Sequence, residues 1–274
     1  MMKLTIITIN YNNRDGLRQT IESVVGQTFR DFEYIVIDGG STDGSVDVIK
    51  EYADKIDYWV SEKDNGIYNA MNKGVAVAHG EYTQFLNSGD YLCDKDVLEK
   101  VFAHNFTEDI VCGNIVTEKG GRLNAPQKVT MEYFIKGSLP HPSSFIKREL
   151  FFTHPYEEQY KISGDWEFFV YHLIVKNVSY KAIDMNVTVF DTNGISSTTK
   201  KEFHDASLKE RVMTTILPPR VFDDYRKYTG ETDEYNRLFY TIGQSKYRKH
   251  VYKLTVLLLK IVMRNKQWIK SFSL

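Results

Sequence analysis

Four carboxylates stand where an apolar run gives way to small polar residues: Asp38 in "IVIDGGSTDGS", Asp64 in "SEKDNG", Asp90 in "FLNSGD" and Asp165 in "ISGDWEFF". A carboxylate so placed can accept hydrogen bonds from a base imide or a ribose hydroxyl, ligate a hard divalent ion, or take a proton from an attacking hydroxyl. Asp38 suits the first role, because Gly39 and Gly40 after it let backbone approach a ligand closely. Asp90, beside Asn87, Ser88 and Gly89, suits Mg2+ or Mn2+ shared with the phosphates of a nucleotide. Asp165 opens an apolar helix, a braced position for a general base and equally a good one for a plain first-turn charge facing the helix dipole. Asn, Ser, Gly and Asp are also ordinary turn residues, so "NSGD" alone fits a turn and "DGGS" a plain loop.

The motifs of several other chemistries are missing. There is no G-x-G-x-x-G and no G-x-x-x-x-G-K-[ST], and the seven histidines form no HxH or HExxH pair. Cys93 and Cys112 lack CxxC spacing, which supports neither a zinc site nor a disulfide framework and points to reduced thiols and a cytoplasmic setting. Lys+Arg and Asp+Glu nearly cancel, 35 against 36, so no basic field for nucleic acid exists. With 274 residues, 42% of them hydrophobic, the chain can bury the core of one large domain with an appendage. The apolar run in "MMKLTIITINYNN" is too short for a signal peptide and reads as a first strand.

The elements that must position the carboxylates follow from periodicity. "KLTIITIN" and "FEYIVID" are β-branched runs suited to parallel strands buried on both faces. Between them Leu17, Ile21, Val24 and Val25 recur at helical spacing; Val46, Ile49 and Ala53 predict a second helix face, and Ile67, Met71, Val75 and Ala78 a third. "YWVSEKD" and "GEYTQFLNSGD" complete an alternation of strands and helices, the pattern of an open parallel sheet. Ligands of such sheets bind outside the carboxyl ends of the strands. That rule gathers Asn10, Tyr11 and Asn12, then Asp38, Gly39 and Gly40, then Glu62 and Asp64, then Asn87 to Asp90, at one crevice. Thr8 lies two residues inside the first of these strand ends. Asn69, Asn72 and Lys73 share a helix face directly after Asp64, where a ligand role competes with a simple exposed surface.

From Gln244 onward the chain carries eight Lys and Arg and no Asp or Glu, around "LTVLLLKIV" and Trp268. That apolar core is under half the roughly 20 residues a bilayer span needs. It suits an amphipathic helix on an anionic membrane surface, or a terminal helix packed on the domain.

Taken in order, "ITINYNN", "SVVGQTFRDFEYIVIDGGSTDGS", "SEKDNGIYNAMNKGVAVAHGEYTQFLNSGD", "LPHPSSFIKREL" and "SGDWEFF" closely resemble the family 2 glycosyltransferases of bacterial polysaccharide synthesis. The likeness is continuous from Lys3 to Asp90, thinner to about residue 199, and does not reach the C-terminal segment. It implies a GT-A fold, an α/β domain over residues 1–200 with a mostly parallel sheet and helices on both faces. Its nucleotide-binding half would be 1–115, its acceptor half 116–200, and a helical, basic extension would fill 201–274. The resemblance further implies a nucleotide-diphosphate sugar donor, preferably a UDP-sugar, and a saccharide or lipid-linked saccharide acceptor. It also implies a divalent metal, Mn2+ or Mg2+, and inversion at the anomeric carbon, on the cytoplasmic side and in peripheral membrane contact if the basic tail touches lipid.

In that frame Asp38 matches the donor-base position, Asp64 the nucleoside-side carboxylate, Asp90 the last member of the metal-binding D-x-D, and Asp165 the catalytic base. Thr8, Asn10, Tyr11, Gly39, Asn69, Asn72, Lys73, Asn87, Ser88, Gly89 and His141 complete the expected donor site. His141 and His204 are candidate phosphate or metal contacts, with a plain structural or surface histidine the favoured reading of each. Three departures stand out. Gly39 replaces a second carboxylate, Ser88-Gly89-Asp90 reduces the D-x-D to one anionic ligand, and Gly164 replaces the first acid of a Glu-Asp pair. An inactive sugar-nucleotide-binding or scaffold protein on the same fold is the competing expectation.

Overall fold

The computed structural model describes residues 2–192, 212–224, 227 and 248–262. His204, Trp268 and most of the basic tail lie outside the described residues. The chain divides into two compact units, Met1–Leu217 and Pro218–Leu274.

In the first unit β1 (Leu4–Asn10) pairs in parallel with β2 (Phe32–Asp38) and with β4 (Tyr82–Phe85), and β2 pairs in parallel with β3 (Tyr58–Ser61). The order β3-β2-β1-β4 means that the chain winds outward from β1 in one direction and then restarts on its other side. The carboxyl ends of β1 and β4 therefore flank the switch point at which open α/β sheets bind ligands. Alternate side chains leave opposite faces of each strand. Leu4, Ile6, Tyr34 and Val36 pack with Leu17, Ile21 and Val24 of α1 (Arg14–Val25) and with Val48 and Ile49 of α2 (Ser45–Glu51). Each such side chain contributes about 1.5–3 kcal/mol on burial, so Ile21→Asp would detach α1. On the other face α3 (Ile67–Ala76) comes so close that a Cβ on Gly74 would meet Ile7 and lie 3.5 Å from Ile37.

The second helix face differs from the sequence expectation. Its buried residues are Ser45, Val48 and Ile49, whereas Val46 is half-buried and Ala53 exposed. Gly44, with φ 94°, starts this helix and Tyr52 ends it, which rotates the face and leaves Ala53 outside.

Beyond β4 the sheet is mixed. β8 (Ser144–Lys147) runs antiparallel to both β4 and β6 (Ile110–Thr117). β9 (Tyr180–Phe190) is parallel to β6, and the short β5 (Tyr91–Leu92) is antiparallel to β9. With β7 (Arg122–Leu123) on β6, the nine described strands form one sheet. The short helix α4 (Gly164–Val170) buries Trp166, Phe168 and Phe169 and leaves Asp165 half-buried. The chain enters α4 through Ser163, whose φ of 79° is uncommon for a residue with a Cβ.

Candidate active site

Asp38 ends β2 between two neighbours, in register with Asn10 of β1 and Ser61 of β3. Its fully buried carboxylate ties all three strand ends together. Asn10 Nδ2 donates to Oδ1 at 2.7 Å, Ser61 Oγ to Oδ2 at 2.6 Å, Ser41 Oγ to Oδ1 at 2.6 Å and the Ser41 N–H to Oδ2 at 2.9 Å. Burial works to raise this carboxyl, but the hydrogen bonds from Ser41, Ser61 and Asn10 outweigh it and hold it below the usual carboxylate range. Asp38 thus shapes the strand tips, and the surface it shapes is Tyr11, Gly39 and Asp64. A Cβ on Gly39 would sit 2.5 Å from Asp64 Oδ2 and 3.2 Å from the ring of Tyr11. Tyr11 is 67% exposed, and Asp64 also accepts from the Gly66 N–H at 2.9 Å. An exposed ring beside a half-buried carboxylate can stack on a planar group and accept its hydrogen bonds.

At the neighbouring tip, the backbone after β4 is stitched to β1 and α1. The Ser88 N–H donates to Ile9 O at 3.0 Å, Asn13 Nδ2 to Ser88 O at 2.9 Å, and Thr20 Oγ1 to Asp90 O at 2.7 Å. The side-chain oxygens of Asn10 and Asn87 are buried here without a hydrogen-bond partner among the described residues. Asp90 Oδ1 accepts from the N–H of Asp191 at 2.9 Å. Gly89, at φ 106°, has no Cβ to occupy a point 2.6 Å from Asp191 Oδ2. Asp191 is therefore a second carboxylate beside Asp90, unread in the sequence because it follows β9, 101 residues away. Burial pushes the Asp90 carboxyl up to about 7, the charge of Asp191 adding to it and the Asp191 N–H opposing. No group of three or more His, Cys, Asp or Glu side chains converges among the described residues. Two carboxylates still fit a hard divalent ion whose remaining ligands are phosphate oxygens and water, and such an ion would offset their repulsion.

Asp165 forms the third part. Tyr68, in the first turn of α3, donates its hydroxyl to Asp165 Oδ1 at 3.0 Å. The Tyr68 ring lies 5.4 Å from that of Tyr156, whose hydroxyl bonds His141 Nε2 at 2.8 Å. His141 is buried, its ring stacked 5.4 Å from Phe85; burial lowers its pKa and the Asp165 charge opposes that. It is a buried wall residue.

Other candidates are committed elsewhere. Thr8 is fully buried and shares a 2.9 Å hydrogen bond with the Tyr34 hydroxyl. Asn69 and Asn72 clamp the segment after the helix Leu150–Thr153 onto α3, through Glu158 Oε2 at 2.8 Å and Tyr156 O at 2.8 Å. Lys73 pairs with Glu62 at 2.6 Å. Sequence reading missed Ser61, Tyr68, Tyr156 and Asp191. Only Ser61, at a strand end, carried a signal that the strand-tip rule reaches.

Comparison with known proteins bears on this arrangement. The model of the family described as "Glycosyl transferase family 2" matches residues 5–170. The chain belongs to that family. This glycosyltransferase is 32% identical over 209 residues to an uncharacterized glycosyltransferase of Mycobacterium tuberculosis, covering 71% of this chain and 77% of the relative. It is 30% identical over 233 residues to a PGL/p-HBAD biosynthesis glycosyltransferase of Mycobacterium bovis, covering 79% and 87%. Among solved structures, Staphylococcus aureus TarS 1-349 in complex with UDP-GlcNAc superimposes with a TM-score of 0.62 at 18% identity, over 81% of this chain and 70% of that one. The mannosyltransferase PcManGT of Pyrobaculum calidifontis, in complex with GDP-Man and Mn2+, gives 0.52 at 17% identity over 74% and 59%. The family 2 chain spans 61% of another TarS 1-349 chain. These structures share its α/β, GT-A-like fold.

Proposed function

We propose that this glycosyltransferase moves a sugar from a nucleotide-diphosphate donor, a UDP-sugar by preference, to a hydroxyl of a saccharide or lipid-linked saccharide in cell-surface polysaccharide synthesis, with inversion at the anomeric carbon. The observation that carries the reading is the pairing of Asp90 with Asp191 at the tip next to the Tyr11, Gly39 and Asp64 surface. The first is built for a diphosphate and its counter-ion, the second for a base. The nucleotide-sugar ligands of TarS and PcManGT and the mycobacterial relative's part in PGL/p-HBAD biosynthesis support the substrate class.

Tyr11 stacks the base, Asp64 accepts from its imide or from ribose, and Asp38 holds the strand ends that present them. Asn10 and Asn87 offer their unpartnered oxygens to donor hydroxyls. Asp90 and Asp191 would hold Mn2+ or Mg2+, which supplies charge neutralisation to the departing diphosphate. Asp165 removes the acceptor proton as the acceptor oxygen attacks the anomeric carbon.

In the second unit, the helix Arg248–Val262 exposes Tyr252, Leu254 and Leu257 with Lys249 and Lys253 beside them. No helix among the described residues is long and apolar enough to cross a membrane. The exposed apolar and basic residues support peripheral contact with an anionic surface on the cytoplasmic side.

The test is a thermal-shift screen of nucleotide sugars with and without Mn2+. A ligand that binds the native state raises the melting temperature according to its concentration relative to Kd. A UDP-sugar stabilising most strongly with Mn2+ is the expected result; no stabilisation by any nucleotide sugar overturns the proposal.

A further inference from the structure

Gly164 stands immediately before Asp165, and a Cβ there would lie 2.8 Å from both Cε2 and Cζ of Tyr68. The Tyr68 ring thus occupies the space that any other residue at 164 would need for its side chain. Tyr68 is 5% exposed, its ring packed against Gly164 and 5.4 Å from the ring of Tyr156. Tyr156 is itself pinned to α3 by two bonds with Asn72, the side-chain amide donating to Tyr156 O at 2.8 Å and Oδ1 accepting from the Tyr156 N–H at 3.2 Å. A phenol held this tightly delivers its hydroxyl to one place, Asp165 Oδ1.

We infer that Tyr68 is the positioning residue of Asp165, with Gly164 as the position that admits it. The inference rests on Asp165 as the base of the proposed reaction. With Oδ1 engaged by the phenol, Oδ2 receives the proton of the acceptor hydroxyl. The acceptor oxygen then bonds the anomeric carbon, the bond from that carbon to the phosphate oxygen breaks, and its electron pair leaves with the nucleoside diphosphate. Burial and the Asp165 charge both raise the Tyr68 pKa, so the phenol keeps its proton and remains a donor. Among the described residues, Tyr156 and His141, both buried, also face Asp165; on its own helix Glu167 is bonded to His154 at 3.0 Å.

The direct test pairs steady-state kinetics of the full chain, read as release of nucleoside diphosphate, with crystal structures of the variants. Tyr68→Phe keeps the ring and removes the donor, so kcat should fall about tenfold while the donor KM stays within about twofold. Gly164→Ala displaces the ring without removing any polar group and should lower kcat in the same way, and the double variant should lose no more than the larger single loss. In both single variants the Asp165 carboxylate should turn from the position it holds in the unsubstituted protein. An unchanged kcat in either single variant, or a carboxylate that keeps its place in both, overturns the inference. If the carboxylate turns in both variants and no nucleotide sugar is turned over even by the unsubstituted protein, the transferase reading fails and the contact stands.

Discussion

The N–H of Asp191 donates to Oδ1 of Asp90 at 2.9 Å, joining the end of the parallel half of the sheet to the end of its last strand. The pairing of Tyr91 with Val189 and of Leu92 with Thr188 sets this register, so β5 and β9 together deliver two carboxylates to one tip. Replacing either with Asn keeps the shape and removes a charge. Asp90→Asn and Asp191→Asn should each weaken Mn2+-dependent UDP binding by tenfold or more in calorimetry, with metal-free melting temperatures at or above that of the unsubstituted protein. Unaltered Mn2+-dependent affinity in Asp191→Asn would remove that residue from the ion site.

Asp165→Asn removes the base and keeps the helix start. Positioned general bases contribute about 10²–10⁴-fold, so turnover should fall by that factor while donor affinity stays within about twofold. Equal turnover in the variant contradicts the assigned role. A protein that binds the donor yet turns over nothing, with Asp165 intact, is a sugar-nucleotide-binding module instead.

Asp38 predicts an acid-sensitive fold. Its carboxyl is held below its unfolded value of about 3.9, so its contribution to stability is full above that value and is lost as pH falls through the lower folded one. Asp38→Ala strands the donors of Asn10, Ser41 and Ser61 and should cost about 3 kcal/mol or more in urea unfolding at pH 7. Asp38→Asn should flatten the loss of stability as pH falls below about 4. An acid limb identical in both proteins would contradict the hydrogen-bond bracing.

Gly39→Ala tests the base seat. The added Cβ would displace the half-exposed Asp64 carboxylate and crowd Tyr11, both on the surface. Nucleotide affinity should drop tenfold or more, measured by titration with UDP, while the fold loses less than about 1 kcal/mol. A large loss of stability with affinity kept would reverse the roles given to these residues.

Leu254→Glu with Leu257→Glu should abolish co-sedimentation with anionic vesicles, and raising salt should weaken binding of the unsubstituted chain. Equal binding to neutral vesicles at high salt would exclude the basic contribution.

The first half of this fold was legible because β1 and β2 are β-branched and buried on both faces, and each strand stops at a recognisable tip. Asn10, Asp38 and Ser61 fall in register as a parallel sheet requires. The second half resisted reading. β8 and β9 are recruited by pairing with β4 and β6, a long-range choice that no local periodicity carries. Asp191 was hidden for the same reason, its partner being fixed by the β5 and β9 register. Tyr68 was hidden differently. It sits on the buried side of α3 and reads as a core aromatic, and only the space left by Gly164 exposes its task. Asn69 and Asn72 were visible as a polar face, but the segment they clamp lies more than 80 residues away.

The decisive measurement is a crystal structure of the chain grown with UDP and Mn2+, located by anomalous scattering. The manganese peak should fall between Asp90, Asp191 and the diphosphate, with uracil over Tyr11 against Gly39 and Asp64. A manganese ion held by other side chains, or UDP bound away from the ends of β1 and β4, would contradict the site.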